Sequence, residues 1–202
     1  MKLNPLDRLY NFDNWIITNE VFETAFYWFS KKTIQKYKKE LIESWKLIKI
    51  VPKVYILVKR WKIFNIPKLS TIIDKNSYIS LFNWLNKWVI KQWYLNLFCC
   101  TSKKKNQEVN VDYLWSYKKI KYHYINIKQN FWIFTDEDWI RYADQERSFL
   151  DMIYLWIQWT IKIPTELNVN VLDKNKIKLY LEYYPQSVRN FLNTKLINYV
   201  KK

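Results

Sequence analysis

The sequence predicts an α+β protein on three observations: apolar residues at helical spacing in three stretches, one short β-branched run, and alternation between residues 120 and 140. From Lys31 to Ile50, the apolar Ile34, Tyr37, Leu41, Trp45 and Ile48 recur at three- and four-residue intervals. Lysines fill much of the space between them, which predicts an amphipathic basic helix ended by Pro52. Val54–Val58 is apolar and β-branched, the composition of a strand. Tyr78–Leu97 carries Leu81, Leu85, Trp88 and Val89 at helical spacing, and Lys103–Lys105 forms a basic loop. Ile120–Ile140 alternates in places and predicts β-hairpin structure, while Ser148–Thr160 predicts a buried helix stopped before Pro164. Residues 1–30 are aromatic and slightly acidic, in keeping with a packing arm or extension. No internal repeat or low-complexity linker interrupts the chain.

Composition says more about the gene than about the fold. The 202 residues include no glycine, where an average chain has about one in fourteen, and alanine stands only at Ala25 and Ala143. Lysine, asparagine, isoleucine and tyrosine are abundant instead. Codons of the scarce residues are rich in G and C, and codons of the abundant ones are rich in A and T. Tryptophan breaks this trend with 12 copies. A genetic code that also reads TGA as tryptophan explains the missing glycine and the excess tryptophan together, and such codes are common in mitochondria. An aromatic-rich protein from an A+T-rich nuclear genome is the plainer alternative.

Organellar genomes mostly encode membrane subunits of the respiratory chain and ribosomal proteins. A membrane-crossing helix needs roughly twenty apolar residues. The longest uncharged stretches, Asn76–Asn86, Gln92–Ser102 and Met152–Ile161, reach about half of that. Near the N-terminus, Asp7, Asp13, Glu20 and Glu23 are unlike an arginine-rich, acid-poor import sequence. A chain made where it works needs none.

The formal net charge is +16, and only the first thirty residues and residues 136–152 are net acidic. A field of this size and sign attracts polyanions. A membrane surface is the competing partner, although the charge is not confined to one amphipathic helix. The run Lys59, Arg60, Lys62 is interleaved with Trp61, a pattern in which lysine neutralises phosphate and an indole stacks on a base. A strand with one buried face produces the same alternation.

Catalytic chemistry has little to build on. His123 is the single histidine, which disfavours histidine-based nucleophile systems and multi-histidine metal sites. Cys99 and Cys100 are adjacent in an apolar run and are expected in the core. Without glycine there is neither a P-loop nor a dinucleotide fingerprint. Asp136, Glu137 and Asp138 are expected to mark a turn rather than a metal site. No enzyme activity, cofactor or small-molecule substrate is expected.

Residues 95–140 resemble the RNA-binding module of the universal small-subunit ribosomal protein S-four (number four of that subunit). Leu95-Asn96-Leu97-Phe98-Cys99-Cys100 aligns with that module's first helix, and Leu114-Trp115-Ser116 with the end of its second. Ile120-Lys121-Tyr122-His123 and Trp132-Ile133-Phe134 align with the strands flanking its turn, and Asp138-Trp139-Ile140 with its closing D-x-I. Further on, Pro164-Thr165-Glu166-Leu167-Asn168-Val169-Asn170, Pro185 and Asn193-Thr194-Lys195-Leu196-Ile197-Asn198-Tyr199 follow the order of the family's C-terminal motifs. The matched region covers about half of the chain. Departures are the family's arginine replaced by Thr101, its Arg-Gln replaced by Asp112-Tyr113, and its turn glycine replaced by Tyr124.

The resemblance implies a mainly helical region over 1–94, a two-helix and β-hairpin module over 95–140, and a helix and tail over 141–202 packing on the first region. Helices are then expected near 95–102 and 107–116 and antiparallel strands near 120–127 and 131–135. Phe98 and Leu114 would pack under the sheet, and Asp138 would accept backbone N–H bonds at the turn. It also implies a structural binder of small-subunit ribosomal RNA that neighbours other ribosomal proteins, and the codon signature sets the expected place as the mitochondrial matrix. The expected RNA contacts are Lys59, Arg60, Lys62, Lys103, Lys104, Lys105, Lys118, Lys119, Lys121, His123 and Lys128. The alternatives are another organellar ribosomal or assembly protein, and a peripheral subunit of a respiratory complex.

Overall fold

The structure, a computed structural model, describes residues 4–10, 15–58, 65–85, 89, 95–113, 116–127, 131–164 and 167–199. In chain order the elements are α1 (Pro5–Tyr10), β1 (Ile16–Thr18), α2 (Asn19–Ala25), α3 (Lys31–Glu43), β2 (Leu47–Val51), β3 (Val54–Leu57), α4 (Ile66–Ile73), β4 (Tyr78–Ile79) and α5 (Phe82–Leu85). Then come β5 (Leu97–Thr101), β6 (Gln107–Tyr113), β7 (Ser116–Tyr124), β8 (Ile133–Thr135), β9 (Arg141–Ala143), α6 (Gln145–Ile157), α7 (Lys174–Leu181) and α8 (Gln186–Tyr199). Short polar side chains cap the helix starts. Thr18, Ser30, Asn65, Asp144 and Asp173 each accept a backbone N–H from the first turn of α2, α3, α4, α6 and α7 respectively.

Two sheets stack in the middle of a four-layer arrangement. A three-stranded sheet runs β1-β3-β2 and a six-stranded sheet runs β6-β7-β5-β4-β9-β8. The period-two alternation of strands sorts their side chains between layers. Ile17, Leu47, Tyr55 and Leu57 face α1, α2 and α3, whereas Ile16, Val54 and Ile56 face the larger sheet. There they meet Leu69 of α4, Ile79, Cys99, Val109, Val111, Ile120 and Tyr122. The far face of the larger sheet, through Tyr78, Phe98, Cys100 and Ala143, packs on α5, α6, α7 and α8. The three stretches 1–94, 95–140 and 141–202 thus share one sheet, with β4 from the first, β5–β8 from the second and β9 from the third. Among the described residues, no helix is long and apolar enough to cross a membrane.

The α+β class stands, but the expected module is not identifiable among the described residues. Leu97–Thr101 is a strand where a helix was expected, flanked by β4 and β7 and buried from Phe98 onward. A short apolar run covered on both faces suits an interior strand, which is why helical spacing is a poor guide there. Gln107–Tyr113 is also a strand, because Val109 and Val111 alternate toward the inter-sheet core. Among the described residues the expected hairpin of 120–127 with 131–135 is not found: β7 pairs with β6 and β5, and β8 pairs with β9. Phe98 packs against Phe82 at 4.9 Å, while Leu114 lies outside the described residues. The basic helix from Lys31 stops at Glu43, and Ile48 and Ile50 belong to β2. The buried helix is α6, near its expected place.

The early stop of α3 has a cause that recurs. Trp45 sits at φ 56°, with its N–H bonded to the Ile42 carbonyl and the next N–H, of Lys46, bonded to the Leu41 carbonyl. That is the Schellman ending, whose left-handed residue is usually glycine. Helix α6 ends identically, with Trp159 at φ 58° and the Thr160 N–H on the Leu155 carbonyl. Trp139, at φ 62°, closes the β8–β9 hairpin where a three-residue loop places glycine. Lys53, at φ 70°, follows Pro52 in the β2–β3 turn, again a glycine place. Leu81 and Trp132 complete the positive-φ residues among those described. Since the left-handed region costs a non-glycine residue roughly 1–2 kcal/mol, Trp159→Gly should raise the unfolding free energy by about 1 kcal/mol, glycine's extra backbone freedom offsetting part of the gain. Trp159→Ala should bring no such gain. Urea unfolding of the three proteins checks this; a less stable Trp159→Gly would mean that the indole, 90% exposed, nevertheless holds the helix end.

Candidate nucleic-acid interface

The end of the larger sheet where β5, β6 and β7 meet carries the basic loop. Asp74, just past α4 and 5% exposed, organises it. Its carboxylate accepts from the Thr101 hydroxyl at 2.6 Å and from the Asn76 N–H at 3.1 Å, and pairs with the Lys103 ammonium at 3.2 Å. The Lys103 N–H donates to the Thr101 hydroxyl oxygen, fixing the start of the loop. Its far end is held by the Asn106 side-chain carbonyl, which accepts from the Tyr124 N–H at 2.8 Å. Lys104 and Lys105 stand on this anchored loop, exposed and without an ion pair to a described residue. Lys103 is therefore partly neutralised by Asp74, and its two neighbours carry the outward charge.

The lysines of β7 divide between the two faces of the sheet. Lys119 and Lys121 lie opposite Asn110 and Glu108 of β6 and flank the Glu108 carboxylate at 3.4 Å and 3.1 Å. The Lys121 bond, chiefly, holds that carboxyl below its usual range. Lys118, one residue off, pairs with Val111 on the opposite side and is half-buried. His123 packs parallel to the Phe98 ring at 6.2 Å, and neither ring nitrogen has a hydrogen-bond partner. Burial, then the Lys121 charge, pushes its pKa down to about 4. A neutral, occluded imidazole makes no charged phosphate contact, so the described lysines among the expected contacts divide into the outward Lys104 and Lys105, the Asp74-linked Lys103, a Glu108-linked pair and the half-buried Lys118. Lys59, Arg60, Lys62 and Lys128 lie outside the described residues.

Several other residues take roles that the pattern alone did not assign. Asp136, not Asp138, accepts the turn N–H bonds, from Asp138 at 3.0 Å and Ile140 at 2.8 Å. Asp138 instead pairs with Lys68 of α4 at 2.7 Å. Thr101, at the family's arginine position, is a buried hydrogen-bonding residue, and Tyr124 ends β7 rather than forming a turn. Lys38 of α3 points inward, with its ammonium on the Asn19 side chain at 2.8 Å and over the Phe22 ring. Cys99 and Cys100 are fully buried free thiols, and burial pushes Cys99 up to about 12, far from a reactive thiolate. Among the described residues no group of His, Cys, Asp and Glu could hold a metal ion. Asp74 and Glu108 carry no local sequence signal, because their partners Lys103, Lys119 and Lys121 are distant along the chain. No protein-family model and no curated protein matches the chain.

The His123 environment predicts a pH effect. Between about pH 6.5 and 4 the unfolded chain binds a proton there that the folded chain excludes, so this histidine lowers stability as pH falls through that window and contributes no such slope above it. Urea unfolding at pH 7 and pH 5 should show His123→Phe gaining on the unsubstituted chain at the lower pH. An identical difference at both values would show an imidazole that titrates normally.

Proposed function

We propose that the chain is a structural RNA-binding protein of a mitochondrial small ribosomal subunit, in contact with ribosomal RNA and neighbouring ribosomal proteins in the matrix. The observation that carries this reading is the anchored loop presenting Lys104 and Lys105 outward on a chain of net charge +16. Fixed cations of this kind neutralise phosphates, and the counterions they release favour association. The glycine-free, tryptophan-rich composition supports synthesis inside the organelle. Membership of the S-four family is the narrower form of the proposal and rests on the order of motifs alone, since strands β5 and β6 stand where that module has helices. A peripheral role in a respiratory complex finds support in the exposed apolar side chains of Trp132, Leu179 and Tyr183.

Sedimentation of an organelle lysate in magnesium should place the chain in the small-subunit peak. Recovery with a detergent-solubilised respiratory complex instead would sink the proposal. For the purified chain, affinity for ribosomal RNA should fall steeply as salt rises. Replacing both Lys104 and Lys105 by glutamate should flatten the logarithmic salt dependence by about two phosphate contacts or more. Reversal at Lys103 should also destabilise the fold, since it sets a second carboxylate against Asp74.

A further inference from the structure

Away from the basic loop, a groove of about 820 Å³ opens between the two sheets, within the roughly 300–1,000 Å³ range of pockets that enclose small ligands. One wall is the start of α2 and the β2–β3 turn, joined by the Asn19 N–H on the Lys53 carbonyl at 3.1 Å. The last turn of α4 and the β8–β9 hairpin form the others. Three cations line it, Lys53, Lys75 and Arg141, against one acid, Glu20. Trp139 lines it too, its side chain left 80% exposed at the hairpin tip.

That indole is not on a loose loop. Asp136 binds two N–H groups of its turn, and Asp138 ties the turn to α4 through Lys68. Of the three acids beside Trp139, Asp138 is paired with a cation and Asp136 is turned onto the backbone of its own turn, so Asp136 and Glu137 keep their charge next to the three cations of the groove. A flat aromatic surface held among cations suits a polyanion whose units carry planar rings. Lysine and arginine meet the phosphates while the indole stacks on a base. A duplex keeps its bases stacked on one another and offers Trp139 no free face.

We propose that this groove binds a single-stranded stretch of RNA, one base resting on Trp139 and the flanking phosphates meeting Lys53, Lys75 and Arg141. The site rests on the RNA-binding reading above and adds a second, strand-selective contact to the loop of Lys103–Lys105.

The left-handed backbone at Trp139 supplies a suitable variant, because glycine fits that position and the indole can be removed without straining the turn. With the full chain, a pyrimidine-rich single-stranded RNA and a duplex RNA of equal length serve as probes. Trp139→Gly should weaken single-strand binding about tenfold, with the salt dependence and duplex binding unchanged. Lys53→Gln together with Lys75→Gln should flatten the salt dependence instead. If the unsubstituted chain binds neither RNA, the RNA-binding reading fails and the groove proposal falls with it. If it binds RNA but Trp139→Gly holds the single strand with full affinity, only the groove proposal is overturned. Tighter binding of a polyglutamate peptide than of RNA, lost in Trp139→Gly, would make the groove a protein-docking site and also overturn it.

Discussion

The Asp151 carboxylate, fully buried in the middle of α6, is the point on which the helical side of the molecule depends. It accepts from the Tyr78 hydroxyl at 3.0 Å, the Ser80 hydroxyl at 2.8 Å and the Tyr184 hydroxyl at 2.6 Å. One turn earlier, Arg147 stands 3.7 Å from it, donates to the Tyr78 oxygen at 2.7 Å and to the Phe131 carbonyl, and lies over both of those rings. The cluster joins β4, α6, the approach to β8 and the α7–α8 junction. Burial, helped by Asp151, pushes the Tyr78 and Tyr184 hydroxyls far above their ordinary range, so they remain donors. A buried ion pair is weak evidence of net stabilisation, yet leaving one of its charges unpaired typically costs about 3–5 kcal/mol. The consequence is specificity. Alternative packings of an aromatic-rich helix layer would strand a carboxylate or a guanidinium away from water.

Elsewhere the distribution of charge serves the opposite purpose. Asp74 and Glu108 hold lysines in place at the sheet end, whereas Lys104 and Lys105 stay outside those pairs. Exposed ion pairs such as Lys36–Glu40 and Lys39–Glu43 on α3 add little stability and only moderate the helix's positive face. A net charge of this size repels itself in the compact state. Under the proposed function a polyanionic partner would remove that repulsion on binding, so the same cations that strain the free chain would favour the complex.

The absence of glycine leaves a second mark on the structure. Trp45, Trp132, Trp139 and Trp159 all occupy left-handed backbone, and at Trp45, Trp139 and Trp159 the local hydrogen bonds are those of glycine-closed turns. The glycine codons GGA and GGG become TGA and TGG by one change at the first base. Under a code that reads both as tryptophan, the missing glycines and surplus tryptophans meet at the same positions. An exposed indole at such a place needs no binding role to explain it. Trp139 differs from Trp45 and Trp159 in lining a basic groove rather than merely ending a helix.

Local sequence alone determined whatever depends on neighbours along the chain. The mixed α+β class, the buried α6, the core cysteines, the acidic turn at 136–138 and the basic loop at 103–105 were all legible, because periodicity, capping and turn chemistry act within a few residues. Boundaries were not. Glycine ordinarily announces helix ends and tight turns, and here tryptophan and lysine occupy those places, so the helical spacing of α3 runs on unbroken through Trp45 into β2. Only the tertiary structure decided that Leu97–Thr101 and Gln107–Tyr113 are strands, since a short apolar run takes its form from what covers its faces. It alone joined Asp74 to Lys103, Glu108 to Lys119 and Lys121, and Asp151 to Tyr78, pairs 11 to 73 residues apart. At the buried Asp74 and Asp151 the contacts are selected by the energy of burying charge and hydroxyl groups together, which exists only once the layers close over them, whereas the exposed Glu108 pairs follow from the β6–β7 register.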